Sequence, residues 1–180
     1  MNTLVIHPKD RSTEFLTRVY ENIDATVVTG GMTKETLRRL VEDHDRVIML
    51  GHGSPWGLMA VGQFEGADCE IVDDSFNEAL AKKDNSIFVW CNADCYVRKH
   101  KLRGFHTGMF ISEPWEAYTH RVDATRDQVE ESNQRFSETL RRNLWRNSMN
   151  GMHQVVRKHY GDLALHNPVA KYNHDRLYVS

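Results

Sequence analysis

Cysteine is scarce. Three cysteines in 180 residues, an odd number, do not make a disulfide framework, and the expected setting is a reducing cytoplasm. Charge of one sign is not in excess either: Lys+Arg 23 against Asp+Glu 25 gives a formal net charge of −2. The chain therefore offers nucleic acid no global basic attraction, and no nucleic-acid partner is expected. No apolar run approaches the roughly 20 residues needed to span a bilayer, and the mean hydropathy is −0.59. The opening stretch Asn2-Thr3-Leu4-Val5-Ile6-His7-Pro8 lacks the basic-then-apolar layout of a signal peptide. There is no internal repeat, low-complexity tract or interdomain linker. What is present is ordinary for one globular domain, 40% apolar and 27% charged residues, together with ten histidines that need an explanation.

The first half alternates strand-like and helix-like segments. Leu4 to Ile6 is a short apolar run ended by His7-Pro8, and Ser12 or Thr13 can cap a helix carrying Phe15, Leu16, Val19 and Tyr20. A second run, Ala25 to Thr29, stops at Gly30-Gly31, and Thr33 caps a helix through Leu37, Leu40 and Val41. The third run, Val47 to Leu50, enters Gly51-His52-Gly53-Ser54-Pro55; a hairpin-like excursion around 57–72 follows. Asp73 or Asp74 caps a helix to about Lys83, the fourth run is Ile87 to Trp90, and Met109 to Ile111 is expected to be a fifth strand. Such alternation predicts an α/β fold with a mainly parallel sheet between helices. The runs at 47–50 and 87–90 are apolar on consecutive residues, as in strands buried on both faces. From Val122 to about Asn147, Val129, Phe136, Leu140 and Leu144 recur at spacings of seven, four and four, which predicts a long amphipathic helix. A shorter one is expected over 152–160, and Arg176 to Val179 fits an edge strand.

In an open parallel sheet, ligands gather at the carboxyl ends of the strands. The polar residues that end each run are then His7, Thr29-Gly30-Gly31, His52, Cys91 and the segment Ser112-Glu113. A histidine after one strand and a cysteine after the next suggest an acid/base partner and a nucleophile, because strands about 4.8 Å apart let both side chains reach one substrate. Gly53, without a Cβ, lets backbone N–H groups approach a developing oxyanion. His7, Glu113, Trp115 and Glu116 are expected on the same rim, as walls or charges of a substrate pocket.

The segments Val47-Ile48-Met49-Leu50-Gly51-His52-Gly53 and Ile87-Phe88-Val89-Trp90-Cys91 resemble the caspase-like (clan CD) cysteine peptidases. That group includes caspases, gingipains, legumain, clostripain and separase. The resemblance covers about the first two-thirds of the chain. It implies a three-layer caspase-like fold with additional C-terminal helices, with 1–120 as sheet core and 121–180 as helices and tail of one domain. It further implies that Cys91 is the nucleophile, that His52 is the general acid/base, and that the N–H groups of Gly53 and Cys91 form the oxyanion hole. The substrate would be a peptide or protein, with no cofactor and no metal. Trp90 departs from the small residue usual before the nucleophile, and Asn92-Ala93-Asp94 matches no one family's signature.

Two alternatives accompany this reading. A catalytically silent caspase-like domain would bind a partner or small ligand. A zinc site from Cys91, Cys95, His100 and His106 has the right ligand types, but its C-x3-C-x4-H-x5-H spacing lacks the short C-x2-C hook. The basic segment 98–103 reads as a solvated loop.

Overall fold

The computed structural model describes residues 2–67, 69–146 and 148–180. Strand β1 (Thr3–Ile6) leads through a 3-10 turn (Glu14–Leu16) into the single-turn helix α1 (Thr17–Tyr20). Then come β2 (Thr26–Val28), α2 (Lys34–Asp43) and β3 (Arg46–Leu50). Three short strands, β4 (Gly53–Ser54), β5 (Gly57–Met59) and β6 (Glu70–Val72), pair antiparallel as a separate small sheet. Helix α3 (Asn77–Leu80), β7 (Ser86–Val89), α4 (Ala93–His100) and β8 (Gly104–Thr107) complete the alternating part. The chain then runs through α5 (Pro114–Thr119), α6 (Arg126–Asn143), α7 (Met149–Ala164) and α8 (Pro168–His174) to β9 (Leu177–Val179).

The main sheet has six strands in the order β2-β1-β3-β7-β8-β9. The first five are parallel, and β9 runs antiparallel on the edge beside β8. Because side chains alternate across a strand, Val47 and Met49 of β3 enter one apolar cluster while Ile48 and Leu50 enter the other. The first cluster holds residues of α2, α3 and α4, the second those of α6 and α7. Apolar layers on both faces are why the central strands lack alternation in the sequence. Among the described residues, no helix is long and apolar enough to cross a membrane.

Two local expectations change. The strand after α4 is Gly104–Thr107, not Met109–Ile111, because Gly104 and Phe105 hold the register against Ser86 and Ile87. The 109–111 run is apolar because it is buried, not because it pairs. Ile111 has its N–H and C=O both satisfied at 2.8 Å by the side-chain amide of Asn173, which stands in for a neighbouring strand. The long helix starts at Arg126, where Thr125 and Gln128 form a capping box, rather than at Val122. Asn147, expected near its end, lies outside the described residues.

Candidate functional site

Strand order reverses between β1 and β3: from β1 the chain moves to β2 on one side, then crosses to β3 on the other. Such a switch point leaves a crevice beyond the carboxyl ends of the two strands. His52 sits there, two residues past β3. Leu50 is in register with Val89, and the Gly51 N–H continues the pairing to the Val89 carbonyl at 3.0 Å. Two residues beyond that pair lie His52 on one strand and Cys91 on the next. Both line one small crevice of about 20 Å³, with Phe15, Phe110 and Ser112 among its walls.

The segment after β1 holds the histidine. Asp10 Oδ1 accepts from the Ser12 N–H (2.8 Å), the Ser12 hydroxyl (2.8 Å) and the Thr13 N–H (3.1 Å), an Asx-type turn. Its other oxygen lies 3.1 Å from His52 Nε2, and Ser12 Oγ lies 2.6 Å from the same nitrogen. The Ser12 hydroxyl proton is used on Asp10, so Nε2 carries the ring proton and donates, leaving Nδ1 as the acceptor. Partial burial would raise the Asp10 carboxyl, but the Ser12 hydroxyl, His52 and the Thr13 and Ser12 N–H groups hold it below the usual carboxylate range. The His52 side chain keeps 26% of its surface exposed, so solvent reaches it.

Cys91 is differently placed. Its Sγ donates to the Phe110 carbonyl at 3.4 Å, and burial pushes the thiol up to about 11. It is a protonated thiol at neutral pH in the resting chain. It lies two residues past β7, just before Asn92, which adopts φ 67° at the sharp entry to α4. Trp90 points the other way, into the opposite cluster, where it donates to the Ser54 carbonyl at 3.1 Å. Its indole fills the space a Cβ on Gly53 would need, with Cδ1 only 2.0 Å from that position. The bulky residue before the cysteine is thus matched by a glycine it packs against. Gly53 itself is opposite Leu58, whereas His52 accepts from Met59 N–H at 2.9 Å. Alternation along an antiparallel strand turns the Gly53 N–H away from β5.

Beside the crevice opens a polar cleft of about 770 Å³, with Asp10, Ser12 and His52 on one wall. Arg126, Val129, Glu130 and Asn133 line it from α6, one helical stripe at i, i+3, i+4 and i+7. Glu113 is on this cleft, as the sequence predicts.

The other rim residues are not where the sequence put them. His7 is fully buried: its ring bonds Tyr20 Oη at 3.0 Å and Thr13 Oγ1 at 3.3 Å, and burial lowers its pKa to about 4. It props the Asp10 turn from below and cannot touch substrate. Glu116 is buried as the far half of a capping box, its Oε2 accepting from the Ser112 and Glu113 N–H groups at 2.7 and 2.9 Å. Trp115 is 61% exposed, bonded to Glu113, and absent from the cleft lining. The four zinc-type ligands do not assemble. Cys91 faces Phe110 and His100 faces Asn77 and Asp74, while the buried His106 bonds the Gly104 carbonyl. Among the described residues, no three His, Cys, Asp or Glu side chains are grouped to hold a metal ion. The basic segment is paired off, Arg98 with Asp94, Lys99 with Asp74 and Arg103 with Asp84.

Sequence reading missed Asp10, Ser12 and Asn133. A signal for the first two exists: an Asp-x-Ser-Thr string four residues past a strand end is turn chemistry at the rim where ligands bind. Compared with family models and with curated proteins, the chain gives no match.

Proposed function

We propose that this protein is a cysteine-dependent hydrolase of the caspase-like type, acting on peptide bonds. The observation that carries the reading is the register of β3 and β7, which sets His52 and Cys91 two residues beyond the same paired position, on one crevice. The polar cleft beside it, at the switch point of the sheet, is where a peptide would lie.

In this reading His52 Nδ1 takes the thiol proton as Cys91 Sγ bonds to the carbonyl carbon. The oxyanion so formed receives the N–H groups of Gly53 and Cys91. The imidazolium returns the proton to the departing amine, and the C–N bond breaks to leave a thioester. Water then attacks the thioester, giving its proton to His52, and the thiol is regenerated. Asp10 keeps Nε2 protonated throughout, so the acceptor nitrogen stays on the reacting side of the tautomeric pair. The thiol need not be ionised beforehand, since the proton moves during attack.

A broad fluorogenic peptide screen comparing wild type with Cys91→Ala tests this. Cleavage of at least one peptide is expected, with a loss on the order of 1,000-fold in the variant. Cleavage that survives the substitution would have another origin and would sink the reading. A second reading, a catalytically silent domain of the same type that binds peptides, is favoured by one observation: desolvation holds the resting thiol protonated. It predicts peptide binding, measured by fluorescence anisotropy, with no cleavage in either form.

A further inference from the structure

A crevice of about 20 Å³ cannot admit a peptide carbonyl, whereas the neighbouring cleft of about 770 Å³ is open. Something between them has to move before a peptide can reach Cys91. Among the described residues, three line both spaces: Phe15, His52 and Ser112. Two of them are tied. His52 is held by Asp10 and Ser12. Ser112 is held at three points: its N–H and hydroxyl donate to Glu116 Oε2 (2.7 and 3.1 Å), and its carbonyl accepts from Asn133 Nδ2 (2.8 Å). Phe15 has no polar group on its side chain, and its ring is held only by apolar packing.

Phe15 also has somewhere to go. Besides the crevice and the cleft it borders a third hollow of about 270 Å³, formed with Glu14, Thr17, Arg18 and Glu21 on the outer side of α1. Its backbone belongs to a single 3-10 turn whose cap residue, Thr13, makes no side-chain cap bond. The next residue, Leu16, is anchored in the core. The backbone is therefore pinned on one side while the ring remains only partly buried. Rotating the ring about χ1 costs little when a staggered alternative opens onto free volume.

We infer that Phe15 is the gate between the substrate cleft and Cys91, its ring closing the crevice at rest and swinging toward the hollow beside α1 to admit an extended peptide. This role rests on the peptidase reading for its purpose, but the gate itself concerns only access to the thiol. The closed ring accounts for a Cys91 that is only partly exposed and for a cleft that stops short of the thiol. It makes the aromatic side chain at position 15, rather than the dyad, the residue that sets how bulky a group can approach the sulfur.

The test is alkylation of the native protein by iodoacetamide at neutral pH, with Cys91 and Cys95 followed separately by mass spectrometry. Cys95, on the partly exposed face of α4, serves as the internal reference. Phe15→Ala is expected to raise the Cys91 rate at least tenfold relative to Cys95, with an unchanged circular dichroism spectrum. Phe15→Leu, which keeps the core packing, is expected to raise it severalfold, and Phe15→Trp to lower it. A Cys91 rate within twofold of wild type in the folded Phe15→Ala protein overturns the gate. If that variant does not fold, the same result in Phe15→Leu does so. Fast labelling without cleavage of any peptide by any form keeps the gate and removes the peptidase. Cleavage by wild type with unchanged labelling removes the gate alone.

Discussion

The two ends of the main sheet both gather polar side chains, and they use them in opposite ways. At the amino end, Arg46 is buried in register beside Thr3, its Nε donating to the Asn85 carbonyl at 3.1 Å and its guanidinium 5.3 Å from the Trp145 ring. Lys83 reaches the His44 carbonyl, and the Asn2 N–H reaches Asp45 at 2.7 Å. Burial lowers the pKa of Arg46 to about 10 and that of Lys83 in the same direction. Each of these groups satisfies a piece of backbone or covers an apolar surface. At the carboxyl end, Asp10, Ser12 and His52 instead bond to one another, and they do so on the wall of a cleft. A buried charge with a shifted pKa is thus no mark of chemistry by itself. Convergence of different chemical types on an open space is.

The comparison is sharpest where it can be broken. The largest effect is expected from His7, a carboxyl-end residue assigned here to structure. Its folded pKa is about 4, below the ordinary 6.5, so the folded chain binds fewer protons than the unfolded chain between those values. Its contribution is fully present above pH 6.5 and is lost as pH falls toward 4, by about 3 kcal/mol at the limit. Urea unfolding at pH 7 and pH 4 measures the loss, and His7→Gln should remove a share of that size from the pH dependence. An unchanged pH dependence would mean that His7 is not held neutral. Next, Arg46→Ala should cost about 2 kcal/mol of stability through lost stem packing and the lost Asn85 bond, while leaving Cys91 alkylation within twofold. A change in reactivity without destabilisation would reverse the division between the ends. The smallest effect is at Asp10. Asp10→Ala should lower kcat/KM for a cleaved peptide roughly tenfold by freeing the His52 tautomer, with a shifted pH–rate profile. A full loss of folding instead would show that the turn, not the imidazole, is what Asp10 serves.

How much of this was legible beforehand depends on the range of the interaction. The runs 47–50 and 87–90 announce central strands because burial on both faces leaves a local record, an unbroken apolar string. The positions of His52 and Cys91 just past two neighbouring strands were legible because a strand end is a local event, and Thr33 because a cap acts within three residues, on the Thr36 N–H. The misplaced residues share another cause. Glu116 reads as a free carboxylate, yet it is consumed by the N–H groups of its own helix start. His7 reads as a rim residue, but the turn at Asp10 and α1 fold over it. The run 109–111 reads as a strand, since an apolar string does not say whether its backbone partner is a strand or the amide of Asn173.

The scarcity of cysteine can now be weighed against position: of the three, Cys91 follows a central strand by two residues, and among the described residues His52 is the histidine that meets a carboxylate on the open cleft. The sequence by itself determined the alternation of strands and helices, the two-faced burial of the middle strands, and the pair of residues that end them. Those follow from periodicity, propensity and hydrophobicity, which act over a few neighbours. Only the tertiary structure decided that Asp10 and Ser12 meet His52, that the thiol lies in a narrow crevice and is held protonated, and that Phe15 lines both that crevice and the cleft. These depend on segments about 40 to 80 residues apart in the chain being brought within a few ångströms, and on the water that their packing excludes.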